Sequence, residues 1–242
     1  MAQINVDLNV NGFDISACYF QEDVDGLFLP LIETLSALRK KKDGRLIVYL
    51  AAPPGAGKTT LSLFLTRLSE GAIQAVGIDG FHYPQEYIKA HSVNIDGKTV
   101  PMQKVKGSPE TYDLRRLTDR IGDLKEKDIK WPIYDRNLHD VVQDVVLVDG
   151  GIILIEGNWL LLDEDGWREL LTFCDYSIFI SADEAMLRGR LVQRKVSGGL
   201  TLEQAELFYT QSDSANVVRV LTKRLTCDLE LRLSSDGKYS TP

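Results

Sequence analysis

Long apolar runs are scarce in this chain. The longest, "IILIEGNWLLL", is too short to span a bilayer and carries a glutamate, which argues against a membrane segment. A surplus of positive charge is also missing. With 28 Lys+Arg against 35 Asp+Glu the net charge is -7, whereas a protein built to grip nucleic acid would usually be basic. Three widely spaced cysteines, Cys18, Cys174 and Cys227, show no pairing or metal-ligand pattern, which suits a reducing compartment. His82, His91 and His139 lack metal-ligand spacing, so no zinc site is expected. The N-terminus lacks the basic start and apolar run of a signal peptide. The expectation is a cytoplasmic protein with neither nucleic-acid nor membrane partner.

What is present fits one sizeable α/β domain of 242 residues. Residues 4–20 alternate around Asn11-Gly12, the strongest short-range hairpin signal. A helix is predicted over Val24 to Lys42, with Leu27, Leu31, Leu35 and Leu38 on one stripe and a basic last turn before Gly44. Residues 1–44 therefore read as an N-terminal hairpin-plus-helix extension, bracing the sheet or making a homodimer contact. From Arg45 onward, apolar runs alternate with helical patterns at 58–70, 183–197 and 202–211, and a last strand falls at 227–233. Continuous apolar strands separated by helices predict a doubly wound parallel sheet covered on both faces. Residues 80–150 break the rhythm, holding four prolines and all three histidines, and long excursions of this kind tend to be functional.

"LIVYLAAPPGAGKTTLSLFL" meets the phosphate-loop pattern G-x-x-x-x-G-K-[ST] except that Ala52 stands at the first glycine position. It follows a predicted strand and opens a predicted helix. There the backbone N–H groups of Pro54-Gly55-Ala56-Gly57-Lys58-Thr59-Thr60 (Pro54 itself contributing none) can wrap phosphates, helped by the helix N-terminus. Lys58 is expected to reach the β/γ oxygens and the Thr59 hydroxyl to hold Mg²⁺. Alanine is small enough at position 52 if its φ stays negative. The expected cofactor pair is ATP with Mg²⁺.

The loop alone does not name a phosphate acceptor. No guanine-reading segment is present, and "VSGGLTLEQ" imitates a transporter-ATPase signature but lies beyond Glu156 rather than before it; it reads as a flexible Gly198-Gly199 hinge between helices. Asp79, about twenty residues past Lys58 at the end of the second strand, is placed to take a proton from an attacking hydroxyl, or is simply a turn residue before Gly80. Glu156 ends an apolar strand, where its charge needs a partner, either a hydrated Mg²⁺ or a salt bridge. Tyr83 and Tyr134 can stack on a ring or simply pack. The lysines of "GKTVPMQKVKG" read as a solvated loop, with attraction of an anionic substrate as the sharper alternative.

"DGFHYP", "KGSPETYD", "WPIYDRNLHD" and "IILIEGNW" follow the loop in that order. The succession resembles the pantothenate kinase, uridine kinase and phosphoribulokinase group of phosphate-loop kinases over residues 45–215. It is nearest to a bacterial uridine kinase-like or fructose-kinase-like branch. The resemblance implies a P-loop NTPase fold for 45–242, with a substrate-binding insert at about 80–150 and a lid at about 184–215. It implies Asp79 as general base and Glu156 as the acidic residue near Mg²⁺. It also implies that Tyr134, Arg136 and His139 line the acceptor pocket, and His82 gains from its motif. An R-x-x-x-R on the lid helix, here Arg190 and Arg194 one helical turn apart, caps the phosphates in that group, while Arg188 should face solvent. Asp213 and Asn216 are candidate hydroxyl binders. The activity expected is γ-phosphoryl transfer from ATP to a hydroxyl of a small polar metabolite. The rival reading is a regulatory NTPase acting through a protein partner.

Overall fold

The structure, a computed structural model, describes residues 2–10, 13–95 and 97–242. Strands β1 (Gln3–Val10) and β2 (Phe13–Phe20) pair antiparallel, and their alternation buries Val6, Leu8 and Tyr19. The Asn11-Gly12 turn expected between them lies outside the described residues. The helix predicted from Val24 starts earlier and is irregular. α1 (Gln21–Asp23) runs through a π-turn at Val24–Phe28 into α2 (Leu29–Lys40). A π-turn inserts a residue and shifts the helical phase. Phe28, not the predicted Leu27, is therefore fully buried alongside Val24, Leu31 and Leu35.

The remaining elements are β3 (Leu46–Ala51), α3 (Lys58–Leu68), β4 (Ile73–Gly77), α4 (Gln85–Ala90), β5 (Ser92–Ile95), β6 (Lys98–Pro101), α5 (Leu114–Leu124), β7 (Ile129–Asp135) and β8 (Asp140–Val148). After them come β9 (Ile152–Gly157), β10 (Tyr176–Ala182), α6 (Glu184–Ser197), α7 (Leu202–Phe208), α8 (Ser214–Thr222), β11 (Leu229–Leu233) and β12 (Tyr239–Ser240). The central sheet has the order β12-β11-β10-β3-β9-β4, parallel throughout except for β12. The antiparallel edge strand and α8 were not expected from the sequence.

Successive side chains of a strand point to opposite faces, and β3 divides its residues accordingly. Leu46, Val48 and Leu50 pack with α2, α3, α6 and the N-terminal layer. Ile47, Tyr49 and Ala51 pack with α5, Trp131 and Trp159 on the other face. Sheet register then aligns the functional edge: Glu156 of β9 sits opposite Leu50 of β3 and Gly77 of β4. All three strands thus end beside one another, at the carboxyl edge where ligands of such sheets bind.

The segment between β4 and β9 forms two antiparallel hairpins, β5–β6 and β7–β8, with helices α4 and α5. Pro132 lies at a register shift in β7, as expected of a residue without an N–H to give the ladder. The backbone there presses on the turn after β4: a Cβ at Gly80 would fall 2.3 Å from the Pro132 carbonyl oxygen. The Trp131 indole N–H donates to the Gly77 carbonyl at 2.8 Å. These contacts fix the backbone on both sides of Asp79.

Candidate active site

The chain leaves β3 at Ala51, turns, and enters α3 at Lys58. Ala52 is fully buried and keeps a negative φ, so alanine fits this position without strain. Gly55 and Gly57 adopt φ of 85° and 84°, the left-handed region that favours glycine. α6 closes over the loop so tightly that a Cβ at Gly55 would lie 3.1 Å from Leu191 Cγ. Beside the loop is a cavity of 560 Å³ walled by Gly55, Gly57, Lys58, Thr59, Thr60, Arg136, Arg190 and Arg194, with Val10 and Ile15 of the N-terminal hairpin. Pro54 does not line this cavity, and Ala56 lines a smaller neighbouring one. The Arg190 guanidinium donates to the Gly55 carbonyl at 3.5 Å. Arg188 instead pairs with Glu206 at 2.7 Å, away from the loop. Gly198-Gly199, the expected hinge, lies in a hydrogen-bonded junction between α6 and α7. Gly198 caps α6, the Leu200 N–H returns to the Lys195 carbonyl at 3.2 Å, and a Thr201–Gln204 capping box opens α7.

Lys58 and Thr59 of this wall meet Glu156, which lines a smaller cavity of 160 Å³ together with Thr59 and Asp79. Thr59 Oγ1 donates to Glu156 Oε1 at 2.9 Å, and Lys58 Nζ lies 3.8 Å from Glu156 Oε2. Burial pushes the Glu156 carboxyl above its usual range, against the pull of Lys58. The residues fit a metal–polyphosphate ligand. Four cationic side chains face the cavity, and a hydroxyl and a carboxylate sit side by side as hard oxygen donors. Mg²⁺ needs no larger protein cage, because it keeps waters and phosphate oxygens.

Asp79 lies in the short 3-10 turn Ile78–Phe81 that follows β4, not in the strand itself. Tyr112 donates its phenolic proton to Asp79 Oδ1 at 3.2 Å. Burial works against the carboxylate, but His82, Lys58 and Arg136 outweigh it and hold Asp79 below the usual carboxylate range. His82 is buried, stacked on Tyr112 with ring centroids 3.8 Å apart, and its Nδ1 is 3.2 Å from the Thr111 carbonyl.

A second cavity, of 330 Å³, is lined by Asp79, His82, Lys106, Gly107, Tyr134, Arg136 and His139. His139 reaches it from the β7–β8 turn, where it holds φ of 53° and the Asp135 carboxylate accepts from the N–H groups of Asn137 and Leu138. Arg136 lines both cavities. Three sequence candidates, Tyr83, Asp213 and Asn216, line neither cavity. Tyr83 stacks on Tyr87 at 4.4 Å and takes no part in the wall. Asn216 is buried behind it, its amide beside Gly107. Sequence reasoning missed Tyr112, and it passed over Lys106 as one more lysine of a basic run. The available signal was that both belong to the "KGSPETYD" segment, whose motif character was already plain.

Comparison with known proteins adds the following. The model of the Phosphoribulokinase / Uridine kinase family matches residues 47–209. The uncharacterised protein YggC of Escherichia coli is 40% identical, over 98% of each chain. A candidate uridine kinase of Schizosaccharomyces pombe is 26% identical over 93% of this chain and 94% of its own. Among solved structures, a candidate fructose transport system kinase from a Silicibacter species superposes with a TM-score of 0.73 at 30% identity, covering 83% of this chain and 98% of that one. No described helix is long and apolar enough to cross a membrane. A phosphate loop at the carboxyl edge of a parallel sheet, matched by this family along two thirds of the chain, makes the protein a P-loop small-molecule kinase of the phosphoribulokinase/uridine kinase family.

Proposed function

We propose that the enzyme transfers the γ-phosphoryl group of Mg·ATP to a hydroxyl of a small polar metabolite bound in the 330 Å³ cavity. The observation that carries this reading is the position of Asp79, an ionised carboxylate on the wall of the second cavity whose charge Lys58 and Arg136 of the first cavity help to stabilise. The acceptor hydroxyl oxygen attacks phosphorus, its proton passes to Asp79, and the bond to the ADP oxygen breaks. Lys58 and the amides of Gly55 to Thr60 hold the phosphates, and Arg190 and Arg194 of the lid, about 184–215, neutralise charge on the transferring group. Thr59 and Glu156 would hold Mg²⁺, which when bound neutralises the β/γ oxygens. Tyr134, Arg136, His139 and His82 shape the acceptor cavity within the insert at about 80–150. Tyr83 and Asn216 act at most through their neighbours.

The test is Asp79→Asn, assayed for ATP use against a panel of hydroxylated metabolites and for nucleotide binding by calorimetry. Turnover should drop at least ~100-fold, the scale of a lost general base, while nucleotide affinity stays near wild type. Near-normal turnover in the variant would remove Asp79 from the mechanism and the acceptor cavity with it.

A further inference from the structure

The lysines of the basic run part company in the fold. Lys98 and Lys104 are exposed to solvent. Lys106 turns inward onto the wall of the 330 Å³ cavity. Its ammonium donates to Gln85 Oε1 at 2.7 Å and to the Tyr134 hydroxyl at 2.8 Å, both neutral oxygens. A lysine head has three N–H groups, so one remains undirected by these bonds. Among the described residues no carboxylate lies within ion-pair distance of it.

The charge balance of the cavity makes this unusual. Among the described residues Asp79 is the only carboxylate lining it, and its charge is already met by Lys58 and Arg136. The nucleotide gives Lys106 no partner either, because Lys106 does not line the 560 Å³ cavity, whereas Arg136 does. A half-buried cation held by neutral oxygens has lost water without gaining a counter-charge, which is unfavourable unless a ligand supplies one. The lysine is also held in place: Tyr134 that accepts from it packs edge-on to His82 at 6.1 Å, and the next residue, Gly107, accepts from the Trp159 indole at 3.0 Å.

From this we infer that the phosphate acceptor is an anion, a hydroxylated carboxylate or phosphate ester, and that Lys106 is the residue that reads its charge. The inference rests on the cavity beside Asp79 being the acceptor site. The acceptor then enters with its hydroxyl towards Asp79 and its anionic end towards Lys106. Sugars and nucleosides without an acidic group leave the lysine uncompensated and are poor substrates.

The experiment has a kinetic arm and a binding arm. The kinetic arm compares matched pairs: D-glycerate with glyceramide, pantothenate with its neutral alcohol analogue, and glucose 6-phosphate with glucose. In wild type, the best acceptor should be the anionic member of its pair, preferred at least ~10-fold in kcat/KM, the scale of one charge-assisted bond. Lys106→Met should raise KM for that acceptor by a similar factor with kcat little changed, and Lys106→Arg should restore part of the preference. The binding arm needs no substrate. Inorganic phosphate is titrated calorimetrically into the protein carrying Mg·ADP, and its affinity should fall at least ~10-fold in Lys106→Met. A neutral acceptor used as well as its anionic partner overturns the inference. So does phosphate binding that is absent in wild type or equal in Lys106→Met. The Asp79→Asn control separates the two readings: if Asp79 is essential and neutral acceptors are used equally, only the anion assignment falls.

Discussion

His82 shows how a single side chain couples the site to stability. It is 7% exposed, and burial pushes its imidazole below the ordinary histidine value, against the pull of Asp79. An unfolded chain therefore takes up a proton at His82 near pH ~6.5, before the folded one does. The sign follows from linkage: with more protons bound in the unfolded state, stability falls as pH drops below ~6.5 and levels off below the folded value, with a slope of at most ~1.4 kcal/mol per pH unit. His82→Phe keeps a ring against Tyr112 but cannot be protonated. Urea denaturation between pH 5 and 7 should give a shallower pH dependence for the variant. Parallel curves would assign the acid sensitivity to other groups.

Among the elements, the N-terminal layer adds a buried polar clasp to its apolar packing on the sheet. The Asp23 carboxylate, at the end of α1, accepts the Tyr239 backbone N–H of β12 at 2.9 Å. Tyr19 stacks flat on Phe64 of α3 with centroids 4.1 Å apart. Asp23→Ala leaves the Tyr239 N–H without its partner and should cost about 1–3 kcal/mol of unfolding free energy. Glu22→Ala removes only the exposed pair with Lys238 and should leave the denaturation midpoint unchanged. Equal effects from the two variants would mean that the clasp contributes nothing.

Legibility in the sequence varied element by element for physical reasons. β3 and β9 were plain because every residue in them is buried, so apolar side chains run through all of β3 and through β9 up to Glu156. The hairpin β7–β8 was hidden by Pro132, which reads as a strand breaker until the bulge that tolerates it is known. The π-turns at Val24–Phe28 and Tyr209–Asp213 were invisible, since one inserted residue changes phase without changing composition. The same division holds in the site. Lys58, Thr59 and Glu156 come from a local motif and from the end of an apolar strand. The wall of the 330 Å³ cavity gathers His82, Lys106, Tyr134 and His139 from the turn after β4, the "KGSPETYD" segment, β7 and the β7–β8 turn, and only tertiary packing says which of their neighbours face inward.

On the scale of the whole molecule, the 560 Å³ and 330 Å³ cavities, which we propose hold nucleotide and acceptor, meet at Arg136, just past β7, and Arg190 and Arg194 of α6 line the first with it. A triphosphate and an anionic acceptor repel each other unless a cation stands between them. In the proposed arrangement Arg136, which lines both cavities, occupies that position. Binding of a non-hydrolysable ATP analogue should therefore strengthen acceptor binding by roughly 5-fold or more, and the acceptor should strengthen analogue binding by the same factor. In Arg136→Gln the sign should reverse. Calorimetric titrations in both orders measure this, and independent binding in wild type would refute it. Such an arrangement bears on waste. Water carries no charge with which to engage Lys106 and does not help to order Arg136, so an enzyme saturated with nucleotide but starved of acceptor should idle, keeping its ATP intact until the second substrate arrives.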